Sequence, residues 1–188
     1  MRKHYRAVVL ILLCVACGLA ASAQSSPPSQ MQTNSLSPEA EQKLAQKITR
    51  AIVMLPYYGV FDSIGYNLHE RTVTLTGQVM TSSLKPDAER AVKKVEGVDK
   101  VVNNIEVLPP GGLDMRLRKQ VQAAIYGYGP FLKYANLPNA PIRIIVKNSR
   151  VTLDGVVDTE TDKNVCTLRV NQVPDVLSVT NNLRVAKP

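Results

Sequence analysis

Groups able to do acid–base, nucleophilic or metal chemistry are scarce in this chain of 188 residues. Past the first 23 residues only one histidine, His69, and one cysteine, Cys166, remain. His69 falls in a predicted hairpin turn, and one His with one Cys cannot make a structural zinc set. Cys166 falls on the apolar face of a predicted helix, where a thiol packs as a small hydrophobe rather than acting as a nucleophile. No serine sits in a nucleophile elbow, and no second histidine is on hand for a triad. Asp154, Asp158, Glu160 and Asp162 crowd together, but without the glycine and glutamate spacing of a calcium loop. They suit a strand edge followed by the acidic first turn of a helix. No glycine loop is built to cradle phosphate. The expectation is a protein with no catalytic residues, no metal and no cofactor.

What remains is positive charge beside aromatic rings. Glu39 to Pro110 carries nine basic and nine acidic residues, whereas Leu113 to Pro188 carries eleven basic and six acidic. On the stretch holding Leu117, Val121 and Ile125, the opposite helical face presents Met115, Lys119, Gln122 and Tyr126, flanked by Arg116 and Arg118. Tyr128, Phe131, Lys133 and Tyr134 follow. Cations beside amphipathic rings suit the headgroup level of a membrane. Arg116, Lys119, Tyr126, Tyr128, Phe131, Lys133 and Tyr134 are therefore the expected contact with an anionic lipid surface. The alternative is that Phe131 and Tyr134 pack beneath the segment that carries them, with the cations solvated. Nucleic acid is not expected, because the charge excess comes without a binding motif.

The elements that position these residues occur twice. GVDKVVNNIEV (97–107) returns as DVLSVTNNLRV (175–185), with Val98, Val101, Asn103, Asn104 and Val107 matched 78 residues later. A repeat this clear is the unit of design. In each copy an apolar stripe at helical spacing (Leu44, Ile48, Ala51, Ile52; then Leu117, Val121, Ala124, Ile125) precedes two strands, a second helix and a third strand. Ser37-Pro38-Glu39 reads as a helix start, with Ser as N-cap and Pro at the first helical position. Gly77, inside the VTLTGQV strand, signals a bulge or close backbone approach. Val101, Ile105 and Val107 are expected to share the core face of the third strand. The second copy holds about five extra residues within Gly129 to Pro141.

The ends of the chain read differently. Residues 1–23 have a basic start, a short apolar run and Ala21-Ser22-Ala23, the pattern of a signal peptide cleaved after Ala23. A lipid-modified Cys17 is the rival reading. Residues 24–38 form a polar, proline-containing tether. Domains are expected at 39–108 and 113–186, joined by Pro109-Pro110-Gly111-Gly112. Val165 and Leu168 replace the charged Asp87 and Arg90 of the first copy, which suggests a domain–domain or partner interface there.

The helix–strand–strand–helix–strand order, the VTLTGQV and VTLDGVV strands and the two NN-containing endings resemble the BON domain. That module occurs in envelope proteins of diderm bacteria, often in tandem behind a signal sequence. The resemblance covers nearly all of residues 39–185. It implies an α+β fold of two αββαβ repeats, each with two helices on one face of a three-stranded mixed sheet. It implies binding rather than catalysis, a periplasmic location, and anionic lipid met by the first helix of the second copy. Partners are then an anionic membrane surface or another envelope protein, the first domain packing on the second. A protein-interaction or chaperone-like adaptor is the alternative. Two departures stand out: Asp175 where the first copy has Gly97, and the YYGVFD segment (57–62).

Overall fold

The computed structural model describes residues 37–137 and 139–186. The expected signal peptide, Cys17 and all of the expected tether but Ser37 and Pro38 lie outside the described residues. The first repeat runs α1 (Pro38–Val53), β1 (Ser63–His69), β2 (Thr72–Val79), α2 (Leu84–Lys93), β3 (Lys100–Asn103) and β4 (Glu106–Val107). The second runs α3 (Gly112–Tyr126), a 3-10 turn (Gly129–Phe131), α4 (Leu132–Ala135), β5 (Ile142–Lys147), β6 (Arg150–Val157), α5 (Glu160–Asn171) and β7 (Ser178–Val185).

Strand registers repeat along with the sequence. β1 lies antiparallel to β2, which is parallel to β3 and β4. β5, β6 and β7 follow the same plan. Ile64 faces Gly77 as Ile142 faces Gly155, and Thr72 faces Lys100 as Arg150 faces Ser178. Both glycines sit at positive φ, 116° and 128°, and a Cβ would collide with the carbonyls of Ser63 and Pro141 respectively. A residue without a side chain is required there, because the neighbouring backbone occupies the space.

Alternation places Val73, Leu75 and Val79 in one core with Leu44, Ile48, Ile52, Ala88 and Val92. Val151, Leu153 and Val157 join Leu117, Val121, Ile125, Cys166 and Val170 in the other. Burying each large aliphatic side chain contributes about 1.5–3 kcal/mol, so these stripes hold helices to sheets. Ser37 caps α1, its hydroxyl accepting from the Ala40 N–H. The third strand of the first sheet is interrupted between Asn103 and Glu106, though β3 and β4 keep one register against β2. Ile105 is buried as expected, but Val107 is 39% exposed and Leu108 takes the inner position.

The paired asparagines gain a structural role. Asn103 donates to the Lys85 carbonyl on α2 and to Glu89, and its oxygen accepts from the Ile105 N–H. Asn181 repeats this with Lys163, Thr167 and Leu183. Each pins the second helix of its repeat to the third strand.

The two domains meet at a small contact made by the segment after α1. Gly59 and Asp62 close a tight turn, in which Asp62 N–H donates to the Gly59 carbonyl at 3.2 Å. The Asp62 carboxylate accepts from the Gly59 and Met80 N–H groups. This turn docks on β5, an edge strand. Ile144 N–H donates to the Val60 carbonyl at 2.8 Å, and Arg143 donates to the Gly59 carbonyl while stacking over Tyr58 at 4.4 Å. The Ser63 hydroxyl meets Asp154, and Lys147 pairs with Glu106. On the same edge, the Tyr126 hydroxyl donates to the Ile142 carbonyl and accepts from its N–H, and Arg118 donates to the Val146 carbonyl. Capping an exposed strand edge in this way removes a template for unwanted pairing.

Candidate functional site

The expected cation–tyrosine surface is divided by the fold. Phe131 and Tyr134 are buried, 1% and 3% exposed, in the core of the second domain. The extra residues fold into a turn of helix whose aromatic side faces inward. Tyr128, Phe131 and Tyr134 stack edge to face at 5.5 Å. The Tyr134 hydroxyl donates to Asp162 and accepts from the Asp158 N–H. Lys133 pairs with Asp158 and Asp162 at 2.7 and 2.9 Å, and these bonds raise its pKa above the ordinary lysine value. Burial pushes Tyr126 up to about 12, with its hydroxyl committed to Ile142. Tyr128 is half-buried beneath Arg169. Arg118 is fully buried. Of the expected set, Arg116 and Lys119 remain exposed on the outside of α3, and Lys133 is exposed but paired with Asp158 and Asp162.

Val165 and Leu168, expected at a domain–domain or partner interface, lie apart from the contact between the domains. Val165 packs half-buried against its own core, and Leu168 is 61% exposed. Neither belongs to the domain contact, because the turn at Gly59–Asp62 approaches β5 and not α5.

Arg116 leads to a surface that the first helix alone does not reveal. It pairs with Asp175 at 3.1 Å, tying α3 to the loop before β7. Asp114 accepts from the Asn148 and Ser149 N–H groups, both at 2.8 Å, tying α3 to the β5–β6 hairpin. Those two residues, at φ 51° and 59°, make the left-handed turn that suits a two-residue hairpin. Leu177 N–H donates to the Ser149 carbonyl at 2.9 Å, closing the triangle. The result is a tip built from three segments. It carries Leu177, 72% exposed, and Leu113, 41% exposed, with Arg116, Lys119 and Arg150 on the same segments. Asp175 adopts φ 69° where Gly97 adopts 99°, so the loop keeps its shape without glycine.

The first domain builds the same tip from different residues. Asp99 N–H donates to the Arg71 carbonyl, and the Arg71 and Asp99 side chains pair at 3.6 Å. Asp99 stands where the second domain has Leu177, and Ala40 where it has Leu113. Sequence reasoning missed Leu113, Leu177 and Arg150, although aligning the copies residue by residue would have exposed the two leucines.

The other sequence candidates are occupied locally. Asp154 accepts from Ser63 and Asn182, within a cleft of about 450 Å³ between the domains that Tyr58, Arg143 and Arg184 also line. Cys166 is fully buried, and burial pushes its thiol up to about 12. Among the described residues no cluster of three or more His, Cys, Asp or Glu is arranged to hold a metal ion, and no helix is long and apolar enough to cross a membrane.

The fold is a pair of αββαβ repeats, the second carrying an exposed apolar and cationic tip. The profile of the BON domain matches residues 40–109 and 116–187, and the chain belongs to that family, as a tandem of two BON domains. BON domains are non-catalytic binding domains associated with membrane or phospholipid binding, and no enzyme family is matched. No curated protein matches. Among solved structures, the C-terminal domain of CdsD, a structural protein of the type III secretion system of Chlamydia trachomatis, is similar at 12% identity and a TM-score of 0.32. It covers 77% of this chain and 98% of that one. A second structure of CdsD is 15% identical with a TM-score of 0.28, covering 77% and 94%.

Proposed function

We propose that this protein is an exported envelope factor that contacts anionic phospholipid through the tip of its second domain, supporting envelope integrity or stress tolerance. The exposure of Leu177, at a position where the first domain has Asp99, carries the reading. An apolar side chain held out from a tight loop can enter the headgroup region, while Arg116, Lys119 and Arg150 meet phosphate. Each basic residue near an anionic surface contributes about 1 kcal/mol, so reversing Lys119 weakens binding by about five- to thirty-fold.

Vesicle co-sedimentation of the mature chain tests this. Anionic vesicles should retain it and zwitterionic ones should not, with binding falling as salt shortens the Debye length from about 10 Å at 0.1 M to about 3 Å at 1 M. Lys119→Glu and Leu177→Asp should each weaken retention. Equal binding by both variants and wild type would remove the tip from the account.

A further inference from the structure

The second sheet carries, on the face turned away from its helices, a set of charges that the first sheet lacks. Arg143, Asp154 and Asn182 stand side by side across β5, β6 and β7, and Arg184 follows two residues further along β7. All four line the cleft of about 450 Å³ between the domains, together with Val53, Ser63 and Ile64 of the first. Small-molecule sites commonly measure about 300–1,000 Å³. The matching positions of the first copy are Gly65, Thr76, Asn104 and Glu106, so the two arginines and the aspartate belong to the second copy alone.

The charges in this cleft do not neutralise one another. Arg143 and Asp154 are direct cross-strand partners of opposite sign, a placement that favours a pair, yet they form none. Asp154 accepts from the Ser63 hydroxyl and from Asn182, and the Ser63 bond joins the two walls of the cleft. Arg143 turns aside, donating through Nη1 to the Gly59 carbonyl at 2.6 Å and stacking over Tyr58. It is 9% exposed, and among the described residues its Nε and Nη2 meet no acceptor. Those two donors are not sealed in, since the fully enclosed, unpartnered side-chain donors among the described residues are Nε and Nη1 of Arg118. The side-on edge of the Arg143 guanidinium therefore opens on the cleft that it lines. Arg184 is exposed and makes no ion pair among the described residues.

A guanidinium nine-tenths buried without an anion is costly, and its flat two-donor edge matches the two coplanar oxygens of a carboxylate. We propose that the cleft between the domains binds a small carboxylate with an apolar body. The carboxylate meets Nε and Nη2 of Arg143, Arg184 supplies a second cation, and the body lies against Val53, Ile64 and Val156. Two guanidiniums beside the Asp154 carboxylate leave one positive charge in excess, which a monoanion neutralises. A phosphate dianion exceeds it and is repelled by Asp154. The cleft lies at the start of β5 and the ends of β6 and β7, away from the hairpin that builds the tip, so either site can fail alone.

The probe is hexanoate, titrated into the full chain and followed by amide NMR, with hexanol and hexyl phosphate for comparison. Hexanoate should shift the amides of Ile64, Arg143, Asp154, Val156 and Arg184 with a Kd of about 1 mM or tighter. Hexanol should not, and hexyl phosphate should bind more weakly. Arg184→Gln should weaken hexanoate by about three- to ten-fold, and Arg143→Lys, which keeps the charge but not the fork, by about ten-fold or more. Asp154→Asn should bring hexyl phosphate level with hexanoate. Arg184 lies on the surface, so its variant keeps the test valid if Arg143→Lys disturbs the contact between the domains. No saturating shift up to about 10 mM hexanoate, an equal response to hexanol, or unchanged affinity in Arg184→Gln would overturn the proposal. Shifts confined to the tip, at Lys119 and Leu177, would do the same.

Discussion

Replacing Asn181 with alanine removes the clamp between α5 and β7, and the loss can be sized from its bonds. The side chain donates to the Lys163 carbonyl and the Thr167 hydroxyl, both at 2.8 Å, and accepts from the Leu183 N–H at 3.0 Å. At about 1 kcal/mol net for each bond, the variant loses about 3 kcal/mol. For a domain of about 70 residues, that corresponds to a fall in Tm of about 12–24 °C. Asn182, its neighbour, makes one exposed bond to Asp154 at 3.1 Å, so Asn182→Ala should change stability by no more than about 0.5 kcal/mol. Thr167→Val keeps the shape and deletes one bond, for about 1 kcal/mol. Urea unfolding followed by far-UV circular dichroism reads all three, provided the slope with denaturant is unchanged. Equal midpoints for Asn181→Ala and Asn182→Ala would refute the clamp.

Two further outcomes follow from buried and paired groups. Cys166, held at about 12 by burial, carries no thiolate at pH 8, so a disulfide reagent should modify it only at the rate of unfolding; fast labelling of the native chain would contradict its core position. For Asp162, burial works to raise the pKa, but hydrogen bonds from Tyr134 and Lys133 outweigh it and hold the carboxyl below its ordinary value. A depressed folded pKa gives stability that is present above the unfolded value of about 3.9 and lost as pH falls through the folded one. Asp162→Asn should therefore be less stable than wild type at pH 7 and lose less stability between pH 6 and pH 3, whereas parallel urea midpoints across that range would count against the pairing.

Much of the fold was legible because it rests on local periodicity. The 78-residue echo, the alternating valines and the glycines at 77 and 155 report backbone facts that need no partner to be read. Burial of Phe131 and Tyr134 was not legible as a single answer, since it depends on the extra segment folding back over its own domain. Arg118 illustrates the same limit. Helical arithmetic put it beside the outer face, but the β5 edge and the turn from the first domain enclose it. Leu113 and Leu177 were passed over for a third reason, although they differ from Ala40 and Asp99 at the matching positions of the first copy. Single apolar residues on a surface are ordinary, and that these two share one tip follows from Asp114, Arg116 and Ser149 bringing their segments together.

The chain contains no tryptophan, which allows the most direct test of membrane contact. Leu177→Trp places a lone indole at the tip of the second domain, and Asp99→Trp places one at the matching point of the first. On adding anionic vesicles, the emission of Leu177→Trp should shift to the blue, as an indole entering the headgroup region does. Zwitterionic vesicles should leave it unchanged, and Asp99→Trp should not respond to either. A shift in Asp99→Trp alone, or in neither variant, would contradict the account.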